Sequence, residues 1–167
     1  KCSEEEVYKI EMLMNQAGIT VHDRPVVDVA LSRAEETEAP AAALELADGH
    51  MITGKTTDLL GPCAALLLNA LKELAGIPHS QPVISPAAIE PIQTLKTQYL
   101  GSKNPRLHMD EVLIALSVSA ASDPNAQKAL EQLPNLKGCQ AHTSVMVSDV
   151  DRKLFMKLSI QATFEAK

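Results

Sequence analysis

The chain has 167 residues, enough for one domain with a small appendage and for a core that needs no covalent staples. Aromatic residues make up 2% and Trp is absent, so the core must come from Leu, Ile, Val, Ala and Met, and the ring platforms on which single-stranded nucleic acids stack are missing. A formal net charge of −6 without a long basic run argues against phosphate-driven duplex binding, and no apolar run approaches a membrane span, so neither nucleic acid nor membrane is an expected partner.

The elements follow in chain order. Ser3 and Glu6 have capping-box spacing, and Val7, Ile10, Leu13, Met14 and Ala17 recur at helical intervals up to Gly18. A second helix is predicted over 25–37, with Asp23 as its cap. Glu38-Ala39-Pro40 closes it and divides a helical element, 1–38, from an α/β domain, 39–167. Short strands over 41–46 and 50–53 flank Ala47-Asp48-Gly49, where Asp-Gly supplies the positive φ angles of a tight turn. A polar loop over 54–58 leads to a helix over 59–75, with Pro62 in its first turn and Gly76 beyond its end. Residues 81–85 read as a third, buried strand. Ser85 caps a helix that begins at Pro86, that Pro91 kinks or restarts, and that Gly101 ends. A loop over 102–107 precedes a helix over 108–121, and Asp123-Pro124 opens a short one that ends near Leu133-Pro134. The chain closes with a strand over 140–148, a helix over 151–158 and a strand over 159–164. Strands interleaved with helices imply an α/β fold, a three-layer sandwich whose sheet is mixed because it opens on a hairpin. Later strands joined by helices should run parallel.

The three cysteines, Cys2, Cys63 and Cys139, are odd in number and irregularly spaced, which suits a reducing compartment and a cytoplasmic protein. The chain begins Lys1-Cys2-Ser3 without Met and ends just after a strand, so it reads as the C-terminal piece of a longer protein.

Two polar clusters carry whatever chemistry the residues offer. Gly54-Lys55-Thr56 matches the end of a phosphate-loop motif but lacks its upstream Gly and four-residue spacer. Lys55, Thr56 and Thr57 nevertheless lie in a loop before a helix N-terminus, a place that favours anions. Asn104-Pro105-Arg106-Leu107-His108, followed by Asp110 and Glu111, is the densest cluster, with Lys96 and Lys103 nearby. Arg106 suits a bidentate carboxylate or phosphate, and His108 suits proton transfer. Asn104, Arg106 and His108 therefore join the ligand-binding candidates, against the plainer reading of a solvated helix start. Cys63 sits in a helix's first turn, where the dipole lowers a thiol pKa, but its commoner role is a small buried hydrophobe. Cys139 and His142 would supply two zinc ligands where a site needs three or four, and the other histidines are scattered. No metal site is expected and the cofactor is unknown. No G-x-S-x-G, HExxH or spaced Ser/His/Asp set is present, so the residues show no recognisable catalytic constellation and no peptidase machinery.

ALELADGHMITG followed by a Cys-containing helix resembles the opening of the zinc-dependent cytidine deaminase fold. In that family the Cys or His ligand is followed two residues on by a Glu, but here Cys63 is followed by Ala64 and Ala65. The second ligand pair would fall at Ser85-Pro86-Ala87-Ala88-Ile89, which has no Cys. The resemblance thus implies a fold and not deaminase activity. A second resemblance covers nearly the whole chain. SEEEVYKIEMLMNQAGITVHDRPVV, AAALELADG, TGKTTDLLGPCAALLLNALK, PIQTLK, NPRLHMDEVLIALS and GCQAHTSV are similar to the C-terminal region of an uncharacterised bacterial family, domain of unknown function 1846. Its full-length members are longer and begin with another α/β region carrying a Gly-rich, P-loop-like segment. Some carry the label ATP-dependent peptidase, without a mechanism. That resemblance implies that any nucleotide site lies mostly outside these residues. The expected role is a non-catalytic C-terminal domain that packs on the protein's own N-terminal region or forms a homo-oligomer. The alternative is a domain that lends residues to a phosphate- or nucleotide-binding active site shared with that region.

Overall fold

The structure, a computed structural model, describes residues 24–166. The helix expected before Gly18, its Ser3–Glu6 capping box and the Asp23 cap lie outside these residues. The elements are α1 (Pro25–Thr37), β1 (Ala41–Glu45), β2 (Met51–Lys55), α2 (Pro62–Ala75), α3 (Pro86–Thr94), α4 (Met109–Ala120), α5 (Pro124–Leu130), β3 (Gln140–Thr143), α6 (Asp149–Lys157) and β4 (Gln161–Phe164). A π-turn, Leu95–Tyr99, prolongs α3, and a 3-10 turn, Leu133–Leu136, follows α5.

The strands form one open, mixed, four-stranded sheet in the order β2-β1-β3-β4. β1 runs antiparallel to both neighbours, and β3 and β4, joined by α6, run parallel. Helices pack on both faces. Ala42 and Leu44 of β1 and Ala141 of β3 point into the main core with α2, α4, α5 and α6. Ala43 points the other way, against Val26, Val27 and Ala30 of α1. This alternation is the period-2 pattern of a strand buried on both sides.

Small residues set how closely the layers approach. A Cβ on Gly54 would lie 2.2 Å from the Leu66 nitrogen and 2.8 Å from the Pro62 carbonyl oxygen. Backbone of α2 therefore rests directly on β2, which only glycine permits. Gly54 and Lys55 belong to this strand, not to the loop expected after it. α2 starts at Pro62, three residues later than expected, and ends as its sequence suggests at Gly76, with φ +70°. The Ile77 N–H returns to the Lys72 carbonyl at 2.9 Å, satisfying an end carbonyl. Two polar residues on this apolar helix find backbone partners: the Asn69 amide donates to the Thr53 carbonyl at 2.9 Å, and the buried Lys72 ammonium donates to the His79 carbonyl at 2.7 Å. The hairpin turn differs slightly from expectation, since Gly49 alone has positive φ (+91°). Asp48 instead accepts the His50 N–H at 3.0 Å.

Three expectations are corrected. Residues 81–85 form no strand; Val83 and Ile84 are buried, but Pro82 and the flanking Pro86 lack the N–H groups a central strand needs. Of the two outcomes expected at Pro91, the restart does not occur: the helix runs through it and passes into the π-turn before Gly101, at φ +75°. Finally, β3 stops at Thr143, and α6 begins two residues early because Ser148 caps it, accepting the Asp151 N–H at 3.2 Å.

Candidate functional site

The two polar clusters, nearly fifty residues apart in the chain, meet in space. A parallel bridge joins Leu60 to Leu107. The Leu107 N–H donates to the Leu59 carbonyl at 2.9 Å, and the Gly61 N–H donates to the Leu107 carbonyl at 3.1 Å. The guanidinium Nε of Arg106 donates to the Thr57 carbonyl at 2.6 Å. Each loop is also folded on itself: the Thr57 hydroxyl accepts the Leu59 and Leu60 N–H groups, and the Asn104 side chain accepts the Arg106 N–H at 3.1 Å. These are the local turns that Thr and Asn favour.

Thr57, Asn104, Arg106 and His108 are thus assembled along one seam. Thr56 is turned elsewhere, with its N–H and hydroxyl both donating to the Pro40 carbonyl. Lys55 is exposed at the end of β2.

Beneath the seam lies a buried polar set. Lys96, only 8% exposed, directs its ammonium to the Arg106 carbonyl and, at 2.8 Å, to Glu111 Oε1. The same Glu111 oxygen accepts the His108 N–H at 2.8 Å and lies 3.4 Å from His108 Nδ1. Burial alone would raise the Glu111 pKa, but the His108 N–H and the Lys96 ammonium outweigh it and hold the carboxyl below its usual range. Asp151 is buried beside α4, where Oδ1 accepts the Met109 N–H at 2.8 Å. Burial pushes its carboxyl above the usual range, and the charges of Asp110 and Glu111 push the same way. Two neighbouring carboxyls are therefore shifted in opposite directions.

Glu111 has a sequence signal, since it stands three residues after the helix-capping position. Lys96 and Asp151 do not announce themselves as site residues. The Ser148-x-x-Asp151 spacing marks a helix start, but not that the carboxylate serves a different helix.

Cys63 is buried, and burial holds its thiol well above the usual pKa, with Asp151's charge adding to the effect. It packs in the core as a small hydrophobe. Cys139 joins the main core, whereas His142 is bonded across to β4, with Nδ1 2.7 Å from the Thr163 hydroxyl and Nε2 3.1 Å from Glu165. Among the described residues no three His, Cys, Asp or Glu side chains are grouped to hold a metal. None of the helices among them is long and apolar enough to cross a membrane. An open groove of about 430 Å³ lies elsewhere, between α1 and β2, lined by Asp28, Ser32, Arg33, Glu36 and Thr53 among others.

Residues 22–167 match the family model described as "Domain of unknown function DUF1846, C-terminal". The chain belongs to this family. A UPF0371 protein of Corynebacterium glutamicum (strain R) is 56% identical over 159 residues, covering 95% of the chain and 32% of the relative. A UPF0371 protein of Corynebacterium aurimucosum is 58% identical over 152 residues, 91% of the chain and 30% of the relative. A UPF0371 protein of Streptococcus pneumoniae (strain CGSP14) is 49% identical over 165 residues, 99% of the chain and 33% of the relative. The DUF1846 C-terminal chain thus spans about a third of the length of the curated relatives it matches.

Proposed function

We propose that this domain is a non-catalytic C-terminal part of a larger cytoplasmic protein and that it serves packing or oligomerisation. The observation that carries this reading is a set of large apolar side chains facing solvent: Tyr99 is 77% exposed, Leu100 71%, Val118 70% and Ile114 63%. Scattered exposed apolar residues, such as Met156 and Val150 on α6, are ordinary, but these four fall on or beside two elements linked by the Lys96–Glu111 ion pair. Glu111, Ile114 and Val118 follow one helical stripe on α4. The occupant of the face is the remaining two-thirds of the longer chain, since the relatives exceed this domain by that much. Residues 1–38 are then the end of the preceding region, with α1 as the part packed on the α/β unit of 39–167. The test is Ile114→Asp with Val118→Asp in the longer protein. Limited proteolysis should release the domain faster from the variant, and light scattering should report a lower mass if a second copy is the occupant. Unchanged cleavage and unchanged mass would refute the reading.

A second reading is a phosphate- or nucleotide-binding site shared with the rest of the protein, drawing on Lys55, Thr56, Thr57, Asn104, Arg106 and His108. It is favoured by the Leu60–Leu107 bridge and by the opposed shifts of Glu111 and Asp151, a pattern found where acid and base roles are divided. On this reading Arg106→Ala abolishes calorimetric binding of nucleotides or sugar phosphates while the melting temperature holds. The cytidine deaminase-like form of the sandwich is also a proposal. The hairpin followed by a helix with Cys63 in its first turn supports it, and the missing strand at 81–85 weighs against it.

A further inference from the structure

In an α-helix, residues three and four apart share a face. Lys96 is buried, yet Tyr99 and Leu100, three and four residues on, are exposed. The π-turn makes this division, closing with the Leu100 N–H on the Leu95 carbonyl at 3.0 Å. Such wide turns are rare, and those that occur are frequently at functional sites. Here the Lys96 ammonium turns inward, while Tyr99 at the end of the turn and Leu100 just beyond it face outward.

The inward ammonium holds three pieces of chain together. It donates to the Arg106 carbonyl and to Glu111, whose carboxylate in turn receives the His108 N–H. The Lys96 carbonyl accepts the Ser102 N–H at 2.8 Å, so both ends of loop 102–108 are fixed to this residue or its partner. Arg106 reaches on to Thr57 across the seam. A displacement of the π-turn therefore cannot leave the Arg106–His108 loop where it was without breaking a part-buried, charge-assisted bond.

We infer that Lys96 is a positioning residue that couples docking at the Tyr99–Leu100 and Ile114–Val118 face to the ordering of the loop bearing Arg106 and His108. This rests on the reading that the rest of the longer protein covers that face. The second observation is independent of it: the ion pair links the two apolar elements to one another and to the loop.

The test is hydrogen exchange in the longer protein, read separately for residues 112–118, which report docking, and for 102–108, which report the loop. Tyr99→Asp with Leu100→Asp should speed exchange in both segments, by roughly tenfold in the loop, the scale of a lost charged hydrogen bond. Lys96→Met should speed 102–108 alone, and adding the docking substitutions to it should speed 102–108 no further. If the docking substitutions speed 112–118 but leave 102–108 at the wild-type rate, the coupling is refuted and the docking reading stands. If 112–118 does not respond, the docking reading itself has failed and the inference falls with it. Should Lys96→Met unfold the protein, seen as fast exchange in α2, Glu111→Gln carries the test. It keeps an acceptor for His108 but weakens the hold on the ammonium, so an unchanged 102–108 in that variant also overturns the inference.

Discussion

The unit from β1 to α2 and the stretch from residue 81 to 108 are built on different terms. In the first, local signals and packing agree. Asp48-Gly49 makes the turn, Pro62 and Gly76 bound the helix, and the alanines of β1 admit helices on both faces. In the second they conflict. A proline stands inside α3, and two apolar residues that could have been buried face out, whereas a buried lysine is common to both regions, Lys72 in α2 and Lys96 here. Sequences settle such conflicts at a cost in stability, and they do so mostly where function requires it. The contrast supports the proposal that the first region is scaffold and that docking or binding falls to the second.

The sharpest way to break this contrast is at Gly54. A valine there would drive its Cβ into the backbone of α2, which has no rotamer with which to yield. Gly54→Val should destabilise by roughly 4 kcal/mol, at the upper end for single substitutions. Chemical denaturation, or loss of soluble protein, would register it. A variant with wild-type stability would mean that α2 does not lie flush on β2, and the scaffold reading would lose its main support.

Legibility in the sequence divides along the same line. Helix starts at Pro25, Pro86 and Pro124 are readable because proline at a first turn acts locally, whereas α2, expected from residue 59, starts only at Pro62 because Leu59 and Leu60 pair across with Leu107. The false strand at 81–85 came from reading Val83 and Ile84 as a buried run and discounting Pro82, which was itself the contrary signal. The candidate residues were found as two separate clusters. Nothing local says that Leu60 and Leu107 pair, because a single long-range bridge leaves no periodicity behind. Lys96 is legible only as a neighbour of the second cluster, and Asp151 not at all, for a related reason: a charged side chain is buried only when distant backbone groups receive it.

Asp151 offers the next effect in size. Asp151→Ala leaves the Met109 N–H buried without an acceptor and should destabilise by about 1–3 kcal/mol. Asp151→Asn keeps an acceptor and removes a buried charge, so it should stay within about 1 kcal/mol of wild type. Its sign should depend on pH. The folded carboxyl titrates above its unfolded value, near about 3.9, so its contribution is fully present below that pH and is lost as pH rises through the folded pKa. Relative to wild type, Asp151→Asn should therefore gain stability as pH rises through that window. Glu111 is shifted the other way, so its contribution is present above its unfolded pKa and lost as pH falls through the folded one. Urea melts at several pH values would separate the two, and a wild-type-minus-Asn difference that is flat with pH would contradict the burial of a charged Asp151.

The smallest effect is at Pro91. Its ring occupies the exposed side of α3 and leaves the Ala87 carbonyl without the N–H that a helix interior would supply. Pro91→Ala restores that donor but also frees the unfolded chain, and the two effects partly offset one another. A net gain of about 1 kcal/mol is expected, seen as a rise in melting temperature. The π-turn should survive, because Lys96 is held in place by Arg106 and Glu111 and not by the proline. If alanine instead drew Leu95–Tyr99 into a regular α-helix, Lys96 and Leu100 would share a face and one of them would have to change places with solvent. The proline would then be what maintains the division between the buried ammonium and the apolar face, and the conflict in this region would be built into α3 itself rather than imposed by its partners.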